Sequence, residues 1–74
     1  MLDKISELIK DYLGDDTVVI TRETNLMMDL GIASIDVLNL IADIEDSFGI
    51  TISDKAIAGF QTVGDVEDYI NSVL

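Results

Sequence analysis

The chain contains no cysteine and no histidine. Their absence excludes disulfides, cysteine nucleophiles and zinc sites built from those ligands, and it removes the commonest general base. No Ser-His-Asp arrangement can form, so catalysis contained within the chain is not expected, and a chain free of cysteine suits the cytoplasm. Basic side chains are scarce as well. Four Lys and Arg stand against 15 Asp and Glu, a formal net charge of −11. Binding nucleic acid or an anionic membrane depends on Lys and Arg neutralising phosphate, so both are disfavoured partners, whereas basic protein surfaces are favoured. No basic-then-apolar leader opens the sequence, and no apolar run approaches the ~20 residues of a membrane span. A soluble monomer is expected.

What the chain does have is enough apolar material for one core. With 74 residues and 49% hydrophobic content, it is expected to fold as a single domain, residues 1–74, rather than stay disordered under its charge. It shows no internal repeat, low-complexity segment or linker. Asp15-Asp16 and the group Asp43, Glu45 and Asp46 could gather divalent ions weakly. Neither follows the alternating oxygen ligands and central Gly of a calcium loop, so no metal site is expected.

Periodicity predicts a small all-α four-helix bundle, with three principal helices and one short third helix. Leu2, Ile5, Leu8, Ile9, Tyr12 and Leu13 share one side of a first helix that stops at Gly14. Lys4, Glu7, Lys10 and Asp11 form its solvated side. A long loop follows, from Gly14 to Ala33, and its length needs a reason. Val18-Val19-Ile20 has strand propensity, but only Ile50-Thr51-Ile52 could pair with it, and two isolated strands rarely stand alone. The loop is therefore expected to be ordered by burying Val18, Ile20, Leu26, Leu30 and one of Met27 and Met28, with a local turn at Thr24-Asn25.

The second helix is predicted from Ser34 to Phe48, with Gly49 as its stop and Val37, Leu40, Ile41, Ile44 and Phe48 facing the core. Its outer side mixes Ile35, Leu38 and Ala42 with Asp36, Asn39, Asp43, Glu45 and Asp46, which reads as a contact surface; Ile35 and Leu38 could also be boundary residues under loops. Ser53 or Asp54 can cap the short third helix, anchored by Ile57 and Phe60. Thr62-Val63-Gly64-Asp65 opens the fourth helix like a capping box. Val63, Val66, Tyr69, Ile70, Val73 and Leu74 line one side of that helix. Asp65, Glu67, Asp68, Asn71 and Ser72 line the other.

The organising stretch is Asp29-Leu30-Gly31-Ile32-Ala33-Ser34-Ile35-Asp36. Gly31 can take the positive backbone angles of a tight turn, which puts Ser34 at or beside the N-cap of the second helix. Most Ser at such places are caps and nothing more. A helix N-terminus also carries unsatisfied N–H groups and about half a positive charge, so it would stabilise an anion attached there.

Asp29-Leu30-Gly31 followed by Ser34-Ile35-Asp36 resembles the Asp-Leu-Gly…Asp-Ser-Leu-Asp signature of acyl carrier proteins. The similarity extends through Thr24 and Leu26, Phe48-Gly49-Ile50, Ile52, Asp54 and Thr62-Val63-Gly64-Asp65. Ala33 stands where that family usually has Asp, and Ser53 where it often has Pro. The resemblance implies 4′-phosphopantetheine, supplied from coenzyme A by a phosphopantetheinyl transferase and joined to Ser34 through a phosphodiester. Its thiol would carry acyl groups as thioesters. The implied partners are that transferase and acyl-transferring enzymes of fatty-acid or polyketide synthesis; the positions of Ile35, Asp36, Leu38, Asn39, Ala42, Asp43, Glu45 and Asp46 on the second helix make its outer side the expected face for the partners' basic patches. A stand-alone, strongly acidic chain is most similar to carriers of type II fatty acid biosynthesis. Ala33 keeps open a specialised polyketide or amino-acyl pathway, and an acidic interaction module without prosthetic group is the alternative outside the carrier class.

Overall fold

The computed structural model describes all residues, 1–74, and the chain forms α1 (Leu2–Leu13), α2 (Ser34–Phe48), α3 (Asp54–Gly59) and α4 (Val63–Val73). Each boundary has a local cause. Beyond α1, the Gly14 N–H donates to Asp11 O and the Asp15 N–H to Lys10 O, so the last turn's carbonyls are satisfied where the sequence placed the stop. α2 ends at Gly49 as predicted. Of the candidate caps for α3 it is Ser53 that acts, its hydroxyl accepting the Ala56 N–H at 3.2 Å. Thr62 Oγ1 accepts the Asp65 N–H at 3.2 Å while Asp65 Oδ2 accepts the Thr62 N–H at 3.1 Å, completing the predicted box. Asp65 also accepts the Gln61 N–H at 2.9 Å; the Gln61 and then the Thr62 amides hold its carboxyl below the ordinary value of 3.8.

The core is built where the helices converge. Ile5 and Ile9 of α1, Val37, Leu40, Ile41 and Ile44 of α2, and Val63, Val66 and Ile70 of α4 are buried together with Leu26 and Ile52 from the connections. α1 and α2 run antiparallel: Tyr12, at the end of α1, reaches Asp36 near the start of α2, and Lys4 reaches the far end. There Lys4 Nζ lies 4.8 Å from the centroid of the Phe48 ring and donates to Ser47 O at 3.4 Å. It supplies a cation at the negative end of α2, whose own last turn has none.

The long connection is ordered, partly by means other than those predicted. Leu26 is buried, and Ile20, Leu30 and Ile32 pack against the core. Neither methionine plugs it: Met27 is 46% exposed and Met28 85%, because the turn that buries Leu26 points both outward. The connection pairs with residues 61–64 rather than with Ile50-Thr51-Ile52. Asn25 and Thr62 form an isolated antiparallel bridge, the Leu26 N–H donating to Gln61 O at 2.9 Å and the Val63 N–H to Thr24 O at 3.0 Å.

Two placements on α4 differ from expectation. Glu67, assigned to the solvated side, is buried to 9% exposure because Arg22 folds over it, contacting Glu67 Oε1 and both oxygens of Asp68. These carboxylates, Asp68 first, push the guanidinium pKa further up. Val73 and Leu74, assigned to the inner side, are exposed because the helix runs past the end of the core.

Candidate functional site

Ser34 is presented by the turn before it. Asn25 Oδ1 accepts the N–H groups of Met27 and Met28 at 3.0 and 2.8 Å, and Asp29 Oδ2 accepts the Asn25 N–H at 2.7 Å, closing a single turn over residues 25–29. The Ile32 N–H donates back to Met27 O at 3.2 Å. Gly31 takes φ +65, a conformation that a side chain disfavours, and reverses the chain so that Leu30 and Ile32 pack inward while Ser34 stays exposed. The Asp and Gly of the motif thus have structural tasks of their own.

Of the two positions open to Ser34, the structure selects the one beside the cap. Ala33 is the N-cap, with φ −88 and ψ 167, and Ser34 is the first residue of α2. Alanine offers no side-chain acceptor, so only the reciprocal half of a capping box exists here: Asp36 Oδ2 accepts the Ala33 N–H at 3.1 Å. The Asp36 and Val37 amides both donate to Ala33 O. The Ser34 and Ile35 N–H groups have no acceptor within the chain, and the Ser34 hydroxyl caps nothing. An exposed hydroxyl therefore stands beside two unpartnered donors at the positive end of a 15-residue helix.

The outer side of α2 divides on inspection. Ile35 is 62% exposed and Leu38 48%; Asn39, Ala42, Asp43 and Asp46 are exposed too. Asp36 and Glu45 are half-buried and turned toward their own fold. Asp36 accepts from Tyr12 Oη at 2.8 Å besides the Ala33 N–H. Glu45 Oε2 accepts the Ile52 N–H at 2.8 Å and so fixes the connection to α3. Glu45, expected on the outward acidic surface, is half-buried there, with one carboxylate oxygen engaged by the loop amide of Ile52.

An open cleft of about 490 Å³ runs between α2 and α3, with Ser34 at its edge and Met27, Val37, Leu38, Ile57, Ala58 and Phe60 supplying an apolar lining beside Asp54. Its walls come from three separate stretches of chain. The available signal was Leu38, apolar yet outside the core-facing sector of its helix, together with the exposed Met27.

Comparison with known proteins agrees with this arrangement. Residues 3–70 match the sequence profile of the family described as "Phosphopantetheine attachment site". A protein from Mycobacterium tuberculosis described as an acyl carrier protein is 33% identical and superposes with a TM-score of 0.91 over 99% of this chain and 97% of its own. Acyl carrier proteins from Thermotoga maritima and Enterococcus faecalis are 30% and 34% identical, with TM-scores of 0.82 and 0.77. Each aligns over 96% of this chain, and over 82% and 90% of its own length respectively. The chain belongs to the acyl carrier protein family, a non-catalytic carrier domain for covalently attached 4′-phosphopantetheine.

Proposed function

We propose that Ser34 is the residue to which 4′-phosphopantetheine is joined, and that the chain carries acyl intermediates of type II fatty acid synthesis in the cytoplasm as a monomer. The observation that carries this reading is the exposed Ser34 hydroxyl beside the free Ser34 and Ile35 amides. The residues present fit the group. Two N–H donors at a helix N-terminus suit a phosphodiester, Ala33 adds no competing negative charge, and the apolar cleft at Ser34 suits a hydrocarbon chain. When attached, the arm supplies the thiol that this cysteine-free chain lacks.

Activation of the Ser34 oxygen falls to a phosphopantetheinyl transferase, because the chain has no histidine and the Asp36 carboxylate nearby is engaged by Tyr12 and Ala33. This protein's own contribution is presentation. Ile35, Leu38 and Ala42 offer a small apolar patch, Asp43 and Asp46 add outward negative charge, and Asn39 lies between. Asp36 contributes charge at the serine end while remaining tied to Tyr12. Basic patches on the transferase and on acyl-transferring enzymes complement this face. Charge governs encounter and orientation, and the apolar residues govern residence.

Incubation with coenzyme A, Mg²⁺ and a broad-specificity transferase, followed by mass spectrometry, tests the assignment. One phosphopantetheine is expected per chain, and none in Ser34→Ala, whose helicity should be almost unchanged. Modification that persists in that variant, or maps to Ser6, Ser47, Ser53 or Ser72, refutes it. An acidic interaction module would bind its partners equally well without Ser34.

A further inference from the structure

Tyr12 joins the end of α1 to the beginning of α2. Its hydroxyl donates to Asp36 Oδ1 at 2.8 Å and accepts from Asn39 Nδ2 at 3.4 Å. The second Asp36 oxygen accepts the Ala33 N–H at 3.1 Å. The carboxylate is therefore held at both oxygens, by α1 on one side and by the residue preceding Ser34 on the other. At most helix starts a side-chain oxygen of the N-cap residue fixes an amide of the first turn. Ala33 has no such oxygen, so the geometry of this turn depends on Asp36, and Asp36 depends on Tyr12.

The charge of Asp36 makes its placement consequential. Held back on Ala33, it leaves the Ser34 and Ile35 amides without partners. Released from Tyr12, the same carboxylate is free to turn toward those amides, since a helix N-terminus attracts any nearby anion. It would then compete with a phosphate arriving at Ser34 and place a like charge beside it.

We propose that Tyr12 is a positioning residue for the loading of Ser34: by holding Asp36 Oδ1 it keeps the carboxylate folded back on Ala33 and the first turn of α2 open to an anion. The inference rests on the reading of Ser34 as the attachment site. Tyr12 touches none of the reacting atoms and acts through Asp36.

Tyr12→Phe keeps the ring that packs against the core and removes only the hydroxyl. Initial rates of loading by a broad-specificity transferase with coenzyme A, followed by mass spectrometry over a range of carrier concentrations, give kcat and KM. The expected result is a fall of about tenfold in kcat/KM, the scale of one hydrogen bond to a charged group, expressed mainly in kcat because Ile35, Leu38, Ala42, Asp43 and Asp46 of the docking face are untouched. Ile70→Val, a core truncation on α4, should lower the melting temperature and leave loading unchanged. In an Asp36→Ala background, Tyr12→Phe should have no further effect, since its influence passes through that carboxylate. The inference is overturned if Tyr12→Phe loads as Ile70→Val does, or if its loss is undiminished without Asp36. Loading of Ser34→Ala would instead overturn the attachment-site reading beneath it, and that outcome is distinct from both.

Discussion

The Gly64 N–H donates to the carbonyl oxygen of Arg22 at 2.8 Å, and a Cβ built on Gly64 would lie 2.9 Å from that same oxygen. The first turn of α4 thus meets the backbone of the long connection at a distance only glycine allows. The approach also sets the base of the Arg22 side chain, which continues to Glu67 and Asp68 on the next turn of the helix. Gly59 offers the contrast: it is helical, and nothing lies within 4 Å of its virtual Cβ.

Substitution by alanine should therefore change stability in opposite directions at these two glycines. On helix propensity alone Gly→Ala gains up to ~1 kcal/mol, and Gly59→Ala should show a gain of that order. At Gly64 the carbonyl in the way is backbone and cannot swing aside. Gly64→Ala should cost about 1–3 kcal/mol, the range for overpacking a tight contact. Urea unfolding followed by circular dichroism measures both, and a stabilised Gly64→Ala would contradict the close approach.

Much of this fold was legible because its punctuation is local. Gly14 and Gly49 ended their helices where the apolar spacing lapsed, and Thr62 and Asp65 announced a helix start within four residues. Ser34 was legible as a candidate for the same reason, standing between a glycine turn and a helical pattern. What remained hidden was long-range. Arg22 and Glu67 lie 45 positions apart, and no periodicity in α4 distinguishes a carboxylate in solvent from one under a guanidinium. Glu45 and Asp36 read as outward acids because their inward partners, the Ile52 amide and the Tyr12 hydroxyl, come from other segments. The cleft beside Ser34 required Met27, Leu38 and Ile57 to meet, which no single stretch encodes.

Asp65 should give the protein an acid-sensitive element. Its carboxyl titrates below the ordinary value of 3.8 because the Gln61 and Thr62 amides bond to the ionised form. A lowered folded-state pKa means that this contribution is fully present above 3.8 and is lost as pH falls through the folded value. Asp65→Asn retains an acceptor oxygen but does not titrate. The stability difference between wild type and Asp65→Asn should thus be constant from pH 7 to about 5 and shrink below the ordinary carboxylate range. A difference that grows on acidification would invert the assignment.

The net charge of −11 should oppose folding in the opposite pH sense and in a salt-dependent way. Self-repulsion among surface carboxylates is long-ranged at low ionic strength and is screened within about 10 Å at 0.1 M salt. The Arg22 ion pairs would weaken slightly on the same addition, but they are few against the total. Raising potassium chloride from near zero to 0.2 M should therefore raise the melting temperature by several degrees, given that ~1 kcal/mol corresponds to ~4–8 °C in a domain of this size. A flat or falling melting temperature would mean that repulsion does not limit the folded state.

The docking face can be tested on residues that the fold itself does not need. Asp36 is unsuitable, because reversing its charge would also break the Tyr12 and Ala33 bonds. Asp65 and Asp68 are equally unsuitable as a charge-matched control, since one caps α4 and the other pairs with Arg22. Asp43 and Asp46 are exposed on the outer side of α2, and Glu7 and Asp11 are exposed on the solvated side of α1. Reversing either pair to Lys changes the net charge equally, from −11 by +4 to −7. If partner enzymes meet α2, Asp43→Lys with Asp46→Lys should slow transferase loading about tenfold at low ionic strength, with a smaller effect at 0.2 M salt, as expected when charge steers encounter. Glu7→Lys with Asp11→Lys should retain most of the rate. The comparison is read from kcat/KM at two salt concentrations, with circular dichroism confirming that both variants are folded. Equal losses in the two variants would assign the effect to net charge and leave α2 without a privileged role in recognition.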